Sequence, residues 1–338
     1  MKQKMLEMSS RKLKALIWIA HHLEAAFLIE RYVQLAKEEL ESHGHKVVIA
    51  RDLEDAIAAV KDADIMLCWK IVPEIFMKAE RLKWIQLGSA GIEHTLFPEL
   101  IESDVILTNV SGIHRAPASE HALGLMLALS RRLNVSMRLQ IEHRYDRSPI
   151  SPTAGELRGK TVGILGLGKI GLELARVCKS LGMTVIGTKK SVAGKLDNVD
   201  KIFTVSDLDI LLRESDYVVL VLPLTISTRS LIGQRELDLM KPIAFIINIA
   251  RGQMIDEIAL ISALREGKLA GAALDVFTEE PLPSDSPLYD LPNVILTPHV
   301  AGSHPEYPER AFGIFKANLN AFERNRPLAN VFDRKRGY

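Results

Sequence analysis

The chain has only two cysteines, Cys68 and Cys178. Two thiols make neither a disulfide framework nor a zinc knuckle. Each falls in an apolar-periodic segment, where a buried free thiol is expected, and a reducing, cytoplasmic setting fits. Long apolar runs are also missing, and none reaches the ~18 residues of a membrane span. The run from Ala15 to Ala20 meets His21, His22 and Glu24 at once. It is too short for a signal-peptide core and has no small-residue cleavage pattern. It reads as a first β-strand, preceded by a frayed extension over residues 1–10. Excess charge of one sign is absent too: the net charge is +1, so no global field recruits nucleic acid or an anionic membrane. Any preference for an anion must come from local charge.

What is present suits two domains, since 338 residues divide into units of roughly 100–200 each. In the first third, the short apolar runs 15–20, 46–50, 65–69, 82–87 and 105–109 alternate with amphipathic stretches such as 25–42 and 54–61. That rhythm predicts a parallel sheet with helices on both faces. The apolar-rich segment from Pro117 to Leu139 reads as one long helix bridging two domains. A loop rich in Ser, Pro and Gly follows at 148–159. A second strand series then begins, at 160–165, 183–188, 201–203, 217–222, 244–249, 271–276 and 293–298. Two of these runs, YVVLVL and AFIINI, are continuously apolar, as central parallel strands covered on both faces should be. In the last segment, 309–325, Phe312, Phe315, Leu319 and Phe322 share one helical face. The chain is expected to return there to its first domain, giving a domain of 11–111 plus 307–338 and another of 112–306.

GLGKIG at 166–171 fits G-x-G-x-x-G in the right setting. A strand ends at Leu165, a helix carries Ile170, Leu174, Val177 and Leu181 on one face, Gly182 closes it, and a strand begins at Met183. This is the ~30-residue βαβ unit of dinucleotide binders. Gly166 permits the tight turn, Gly168 lets amides approach the pyrophosphate, and Gly171 lets helix pack on sheet. The helix N-terminus adds unpaired N–H groups and partial positive charge. NAD binders place an acid at the end of the second strand for the ribose 2′-hydroxyl, and that acid is missing here. Thr188, Lys189, Lys190 and Ser191 stand there instead, a set that suits the 2′-phosphate of NADP. Two solvated lysines on a site that takes either nucleotide, NAD included, is the alternative.

Three more segments sit where open α/β sheets place their ligands, after strand C-termini. NIARGQMIDE (248–257) offers Arg251, LDVFTEEPLP (274–283) offers Asp275, Glu279 and Glu280, and LTPHVAGS (296–303) offers His299. Together with GLGKIG and LPLT (222–225), these strings resemble, in order and over nearly the whole chain, the D-isomer-specific 2-hydroxyacid dehydrogenases. The closing PLANVFDRKRGY (327–338) resembles the glyoxylate/hydroxypyruvate reductase-like members.

The resemblance implies an α/β protein: a Rossmann-type doubly wound nucleotide domain plus a smaller flavodoxin-like substrate domain formed by both chain ends. It implies hydride transfer between NAD(P)H and the α-carbon of a small 2-keto or 2-hydroxy acid, D-specific, with glyoxylate and hydroxypyruvate favoured. Arg251 would bind the substrate carboxylate and polarise the keto oxygen, which its planar fork suits and a lysine could not copy. His299 would protonate the carbonyl oxygen, and Glu280, preferred over Glu279 because it precedes Pro281, would pair with it and fix its tautomer. Ala90 and Gly91 in SAGIEH (89–94) would meet the substrate carboxylate through their amides. The cofactor set would be Gly166, Gly168, Lys169, Ile170, Gly171, Thr188, Lys189, Lys190, Ser191, Leu222, Pro223, Ile249, Ala250, Asp275 and Gly302, with Asp275 on the nicotinamide carboxamide. Glu120 matches a family position near the domain junction, where a capping or structural role serves equally. Trp69 either limits the substrate pocket or belongs to the core. The other histidines, His94, His114 and His121 among them, show no metal-ligand pattern with nearby acids, and no metal is expected. A homodimer through the nucleotide domain is implied. No regulatory domain follows residue 338, which argues against the long, serine-regulated phosphoglycerate dehydrogenases. A dinucleotide-sensing corepressor on the same fold is the alternative, and the lack of long recruiting tails favours the enzyme.

Overall fold

The alternating runs become two sheets in which every ladder is parallel. The computed structural model describes residues 12–18, 26–93, 95–190 and 194–334, with side chains of 26 and 27 excepted. The extension 1–10, His94, Ser191 and the last residues 335–338 lie outside the described residues. By contacts the chain divides into one unit of Met1–Ile113 with His304–Tyr338 and another of His114–Ser303.

The first unit holds β1 (Lys14–Trp18), β2 (Lys46–Ala50), β3 (Ile65–Cys68), β4 (Trp84–Leu87) and β5 (Ile106–Thr108) in the order β2-β1-β3-β4-β5, the flavodoxin-like order. Every residue of β3 and β4 is buried, because helices cover both faces. Ala56, Val60, Ile75 and Leu100, from the helices Leu53–Val60, Pro73–Phe76 and Pro98–Glu102, fill one side. Tyr32, Leu40, Phe315 and Leu319, from Ala26–Ser42 and Tyr307–Glu323, fill the other. Phe315 stacks on Trp84 with centroids 5.8 Å apart. Full burial of a side chain such as Phe315 is worth about 1.5–3 kcal/mol.

The second unit holds β6 (Thr161–Leu165), β7 (Thr184–Thr188), β8 (Lys201–Phe203), β9 (Tyr217–Leu220), β10 (Phe245–Asn248), β11 (Gly271–Leu274) and β12 (Val294–Leu296). Their order, β12-β11-β10-β9-β6-β7-β8, is the Rossmann order with a further strand beyond its outer edge. It reverses at β6, so the crevice beside β6 and β9 is where this topology takes a ligand. The helices Arg115–Ser130 and Lys169–Ser180 cover one face. Leu208–Glu214, Gln234–Leu239 and Glu257–Arg265 cover the other.

The segment 117–139 is not one helix. It is two, Arg115–Ser130 and Leu133–Ile141, broken where Arg132 takes a left-handed φ of +56°. The Gly155 amide donates to the Ser130 carbonyl at 2.8 Å, and Arg131 Nη1 donates to Gly155 O at 2.8 Å. A loop 25 residues downstream in sequence thus replaces the next helical turn. No helix among the described residues is long and apolar enough to cross a membrane. Both cysteines are buried and free. Burial pushes the Cys178 thiol up to about 12 and raises that of Cys68 as well, so neither is a nucleophile at neutral pH.

Candidate active site

Two of the three glycines in GLGKIG answer to packing inside the protein. Gly166 has φ +108°, and a Cβ on it would meet Leu222 Cβ at 2.9 Å; a Cβ on Gly171 would stand 2.1 Å from the Gly166 carbonyl oxygen. Gly168 differs, because nothing lies within 4 Å of where its Cβ would be. It is the N-cap of Lys169–Ser180, with no side-chain cap on the helix amides. The open space in front of those amides fits a pyrophosphate approaching the helix N-terminus. Thr188, buried at the end of β7, fixes the turn: the amide of Gly166 donates to its Oγ1 at 3.1 Å and that of Leu167 to its carbonyl at 2.8 Å. Lys189 and Lys190 follow, the first partly buried and the second exposed.

The chemical end of the site is built on the adjacent strands β10, β11 and β12. Asn248 pairs with Leu274, and Leu274 with Leu296, so the loops holding Arg251, Asp275 and His299 leave the sheet side by side. Buried Asn248 shapes the first loop: its Oδ1 accepts from the Ala250 amide at 3.0 Å and its Nδ2 donates to Arg251 O at 2.9 Å. Arg251 Nη1 donates to Ala250 O at 2.6 Å. Gly252 lies flat on the next loop, where a Cβ would come within 1.8 Å of the Phe277 carbonyl carbon. Glu280 is held from both sides. Its Oε1 accepts from the Phe277 amide at 3.0 Å, and its Oε2 lies 2.6 Å from His299 Nδ1. The carboxylate accepts from Nδ1–H, which leaves Nε2 as the other functional nitrogen of the ring.

Asp275 is completely buried and orders the His299 loop. Its Oδ1 accepts from Thr297 Oγ1 at 2.6 Å and from the Val300 amide at 2.9 Å, its Oδ2 from the Ala301 amide at 2.9 Å. Its carbonyl accepts from the His299 amide at 2.8 Å. His121 Nε2 lies 3.1 Å from Thr297 Oγ1. His299 itself has φ +52°, a conformation that costs about 1–3 kcal/mol in a non-glycine residue and is met mostly at functional sites.

Residues 123–301 match the family model for the D-isomer specific 2-hydroxyacid dehydrogenase, NAD binding domain. The chain belongs to the D-isomer specific 2-hydroxyacid dehydrogenase family. It is an NAD(P)-dependent 2-hydroxyacid oxidoreductase. The dehydrogenase is 36% identical over 273 residues to a glyoxylate reductase of Thermofilum pendens, covering 79% of this chain and 80% of that one. Its fold is similar to an NADPH-dependent glyoxylate/hydroxypyruvate reductase of Sinorhizobium meliloti in complex with NADP and sulfate (TM-score 0.80, 28% identity, 96% of this chain and 100% of that one). It is also similar to an NAD-dependent formate dehydrogenase of Staphylococcus aureus in complex with NAD (TM-score 0.78, 26% identity, 95% and 99%).

The remaining residues singled out from the dehydrogenase's sequence fall as follows. Leu222 packs at Gly166, and Pro223 is exposed. Ile249 and Ala250 follow β10, and Gly302 O lies 2.8 Å from His114 Nδ1. Glu120 is exposed on the second turn of its helix and is not its N-cap. In the other unit, Ala90 and Gly91 follow β4 in a turn whose carbonyls are engaged: Asn109 Nδ2 donates to Ala90 O at 3.0 Å and Ser89 Oγ to Gly91 O at 2.8 Å. Trp69 is half-buried, edge-on to Tyr32 at 5.5 Å and flush against Gly88. Asn248, Thr297 and His121 escaped the sequence reading as parts of this site. Asn248 and Thr297 stand inside the strings that carry the family resemblance, and that position was their signal. His121 had none.

Proposed function

We propose that this dehydrogenase is an NADPH-preferring reductase of small 2-keto acids, with glyoxylate and hydroxypyruvate the favoured substrates. The observation that carries the reading is the short His299–Glu280 pair, with Glu280 pinned from behind by the Phe277 amide. A bound nicotinamide dinucleotide supplies or accepts the hydride. Arg251 takes the substrate carboxylate and draws charge from the keto oxygen. His299 Nε2 delivers a proton to that oxygen in reduction and takes it back in oxidation, while Glu280 stabilises the imidazolium and holds the ring's direction. Gly168, Lys169 and Ile170 receive the pyrophosphate on a helix that Gly171 lets pack close, Leu222, Pro223, Ile249, Ala250 and Gly302 line the cofactor's path, and Asp275, buried with both oxygens engaged, acts from beneath by ordering the His299 loop.

The missing acid after β7 supports NADPH. A charge-assisted hydrogen bond to the 2′-phosphate from Lys189, Lys190 or Ser191 is worth about 1.5–3 kcal/mol, and salt screening pulls toward the lower figure. Wild type should therefore favour NADPH over NADH by about tenfold or more in kcat/KM, since about 1.4 kcal/mol is tenfold. Lys189→Asp should reverse the order. Both cofactors are to be compared on a panel of 2-keto acids at low and high salt. A preference for NADH at both salts returns the lysines to solvated surface. Dinucleotide binding without turnover of any acid would favour the sensor reading.

A homodimer through the nucleotide unit is the proposed assembly. Leu133, Met137 and Ile141 form one stripe of their helix and are 48%, 63% and 78% exposed, which supports a partner surface there. Light scattering should give a dimer, and Ile141→Asp should shift it toward monomer; a monomeric wild type rejects this. The buried free thiols support a reducing, cytoplasmic location.

A further inference from the structure

The first unit carries a cluster with no part in hydride transfer. The turn after the helix Ala26–Ser42 presents His43 and His45, and the helix Tyr307–Glu323 ends on Glu323 between them. His45 Nε2 lies 2.6 Å from Glu323 Oε1, and His43 Nδ1 lies 3.0 Å from both oxygens of that carboxylate. One ligand atom from each residue can be chosen so that all three lie within 4.8 Å of one another. Glu39 Oε1 stands 3.4 Å from His43 Nε2, and Lys316 pairs with the other oxygen of Glu39. The His45 side chain is 5% exposed and that of His43 26%, so the cluster is walled on one side and open on the other.

Its surroundings favour a cation. The negative ends of two helix dipoles converge here; neither helix has a basic residue in its last turn, and Arg324 follows only as the C-cap of the second. Two carboxylates add to this, and Lys316 offsets one of them.

We infer that His43, His45 and Glu323 form a site for a divalent transition-metal ion of the zinc class. Two imidazole nitrogens and one carboxylate select such ions over magnesium or calcium, which take oxygen ligands, and solvent completes the tetrahedron. The ion takes the place of the ring N–H groups that face Glu323, and each neutral ring keeps its one proton on its other nitrogen, that of His43 facing Glu39. His45 Nδ1 accepts a long 3.3 Å hydrogen bond from the Leu13 amide; when Nε2 binds metal, the ring proton moves to Nδ1 and this bond is given up. Ligands of tetrahedral zinc stand about 3.3 Å apart, so Glu323 swings outward slightly to admit the ion. The ion would staple the C-terminal helix to the N-terminal part of its own unit.

The test uses tag-free, full-length, EDTA-stripped protein, titrated with Zn2+ by calorimetry and with Co2+ by visible absorption. We expect one ion per chain with a Kd of about 1 μM, and a higher Tm, since an ion at a hundred times its Kd raises the folded-to-unfolded ratio about a hundredfold. His43→Ala and Glu323→Gln should each weaken binding by about a hundredfold, a metal-affinity loss within the range seen even for outer-shell partners, and reductase activity in EDTA should stay at the wild-type level. Failure of wild type to bind either ion below about 100 μM overturns the proposal and leaves a hydrogen-bonded His–Glu clamp. Binding that survives in both variants also overturns it and places the ion elsewhere, with His21 and His22 the next residues to replace. A variant that does not fold leaves the wild-type titration and the other variant to decide.

Discussion

Replacing His299 with alanine should lower kcat for 2-keto acid reduction by about 10²–10⁴, the usual share of a positioned acid, while dinucleotide affinity stays near wild type. The ring's contact within the site is with Glu280, at 2.6 Å, and the backbone at φ +52° strains alanine as it strains histidine. The substitution therefore removes a proton donor and little else. Steady-state kinetics in both directions check this, and a variant that keeps the wild-type kcat would sink the assignment. Glu280→Gln keeps the Phe277 contact but removes the charge, and should land between the two.

Gly252→Ala should cost about 10² in kcat/KM without touching any group that meets substrate. The added methyl would sit 1.8 Å from the Phe277 carbonyl carbon and 2.0 Å from its oxygen, both backbone atoms with no rotamer to yield. Either the Arg251 loop or the Phe277–Glu280 loop must move by roughly 1 Å, and a misplacement of that size near the chemistry costs about that factor. Overpacking should also remove about 1–3 kcal/mol of stability. The measurements are kcat/KM and Tm on the same sample. Wild-type values for both would mean that the two loops are not locked together as described.

The parts legible in sequence were those fixed by local chemistry. Strand, glycine turn and helix follow one another at 161–180, so the dinucleotide unit could be read from its own residues. Arg251, Glu280 and His299 were readable because each leaves a strand of one parallel sheet, and the order of strands then sets them side by side. What stayed hidden depends on partners far along the chain. The break at Arg132 needs the Gly155 amide. Thr297 continues the apolar run 293–298 in sequence, yet β12 ends at Leu296, because the Thr297 hydroxyl turns to the buried Asp275. His43 and His45 gave no metal pattern with nearby acids, since Glu323 lies 280 residues from His43.

The helix Tyr307–Glu323 covers the Trp84 face of a sheet made from the opening third of the chain, and Asn318 donates to Gln86 across 232 residues. On a ribosome these two halves of one core emerge far apart in time. The nucleotide unit, continuous from His114 to Ser303, can complete its sheet while the first unit still waits for its last helix. Until then β4 presents Trp84 uncovered, an apolar surface of the kind that chaperones hold and that aggregates form around. The order of synthesis thus makes the first unit, not the nucleotide unit, the vulnerable stage in making this enzyme.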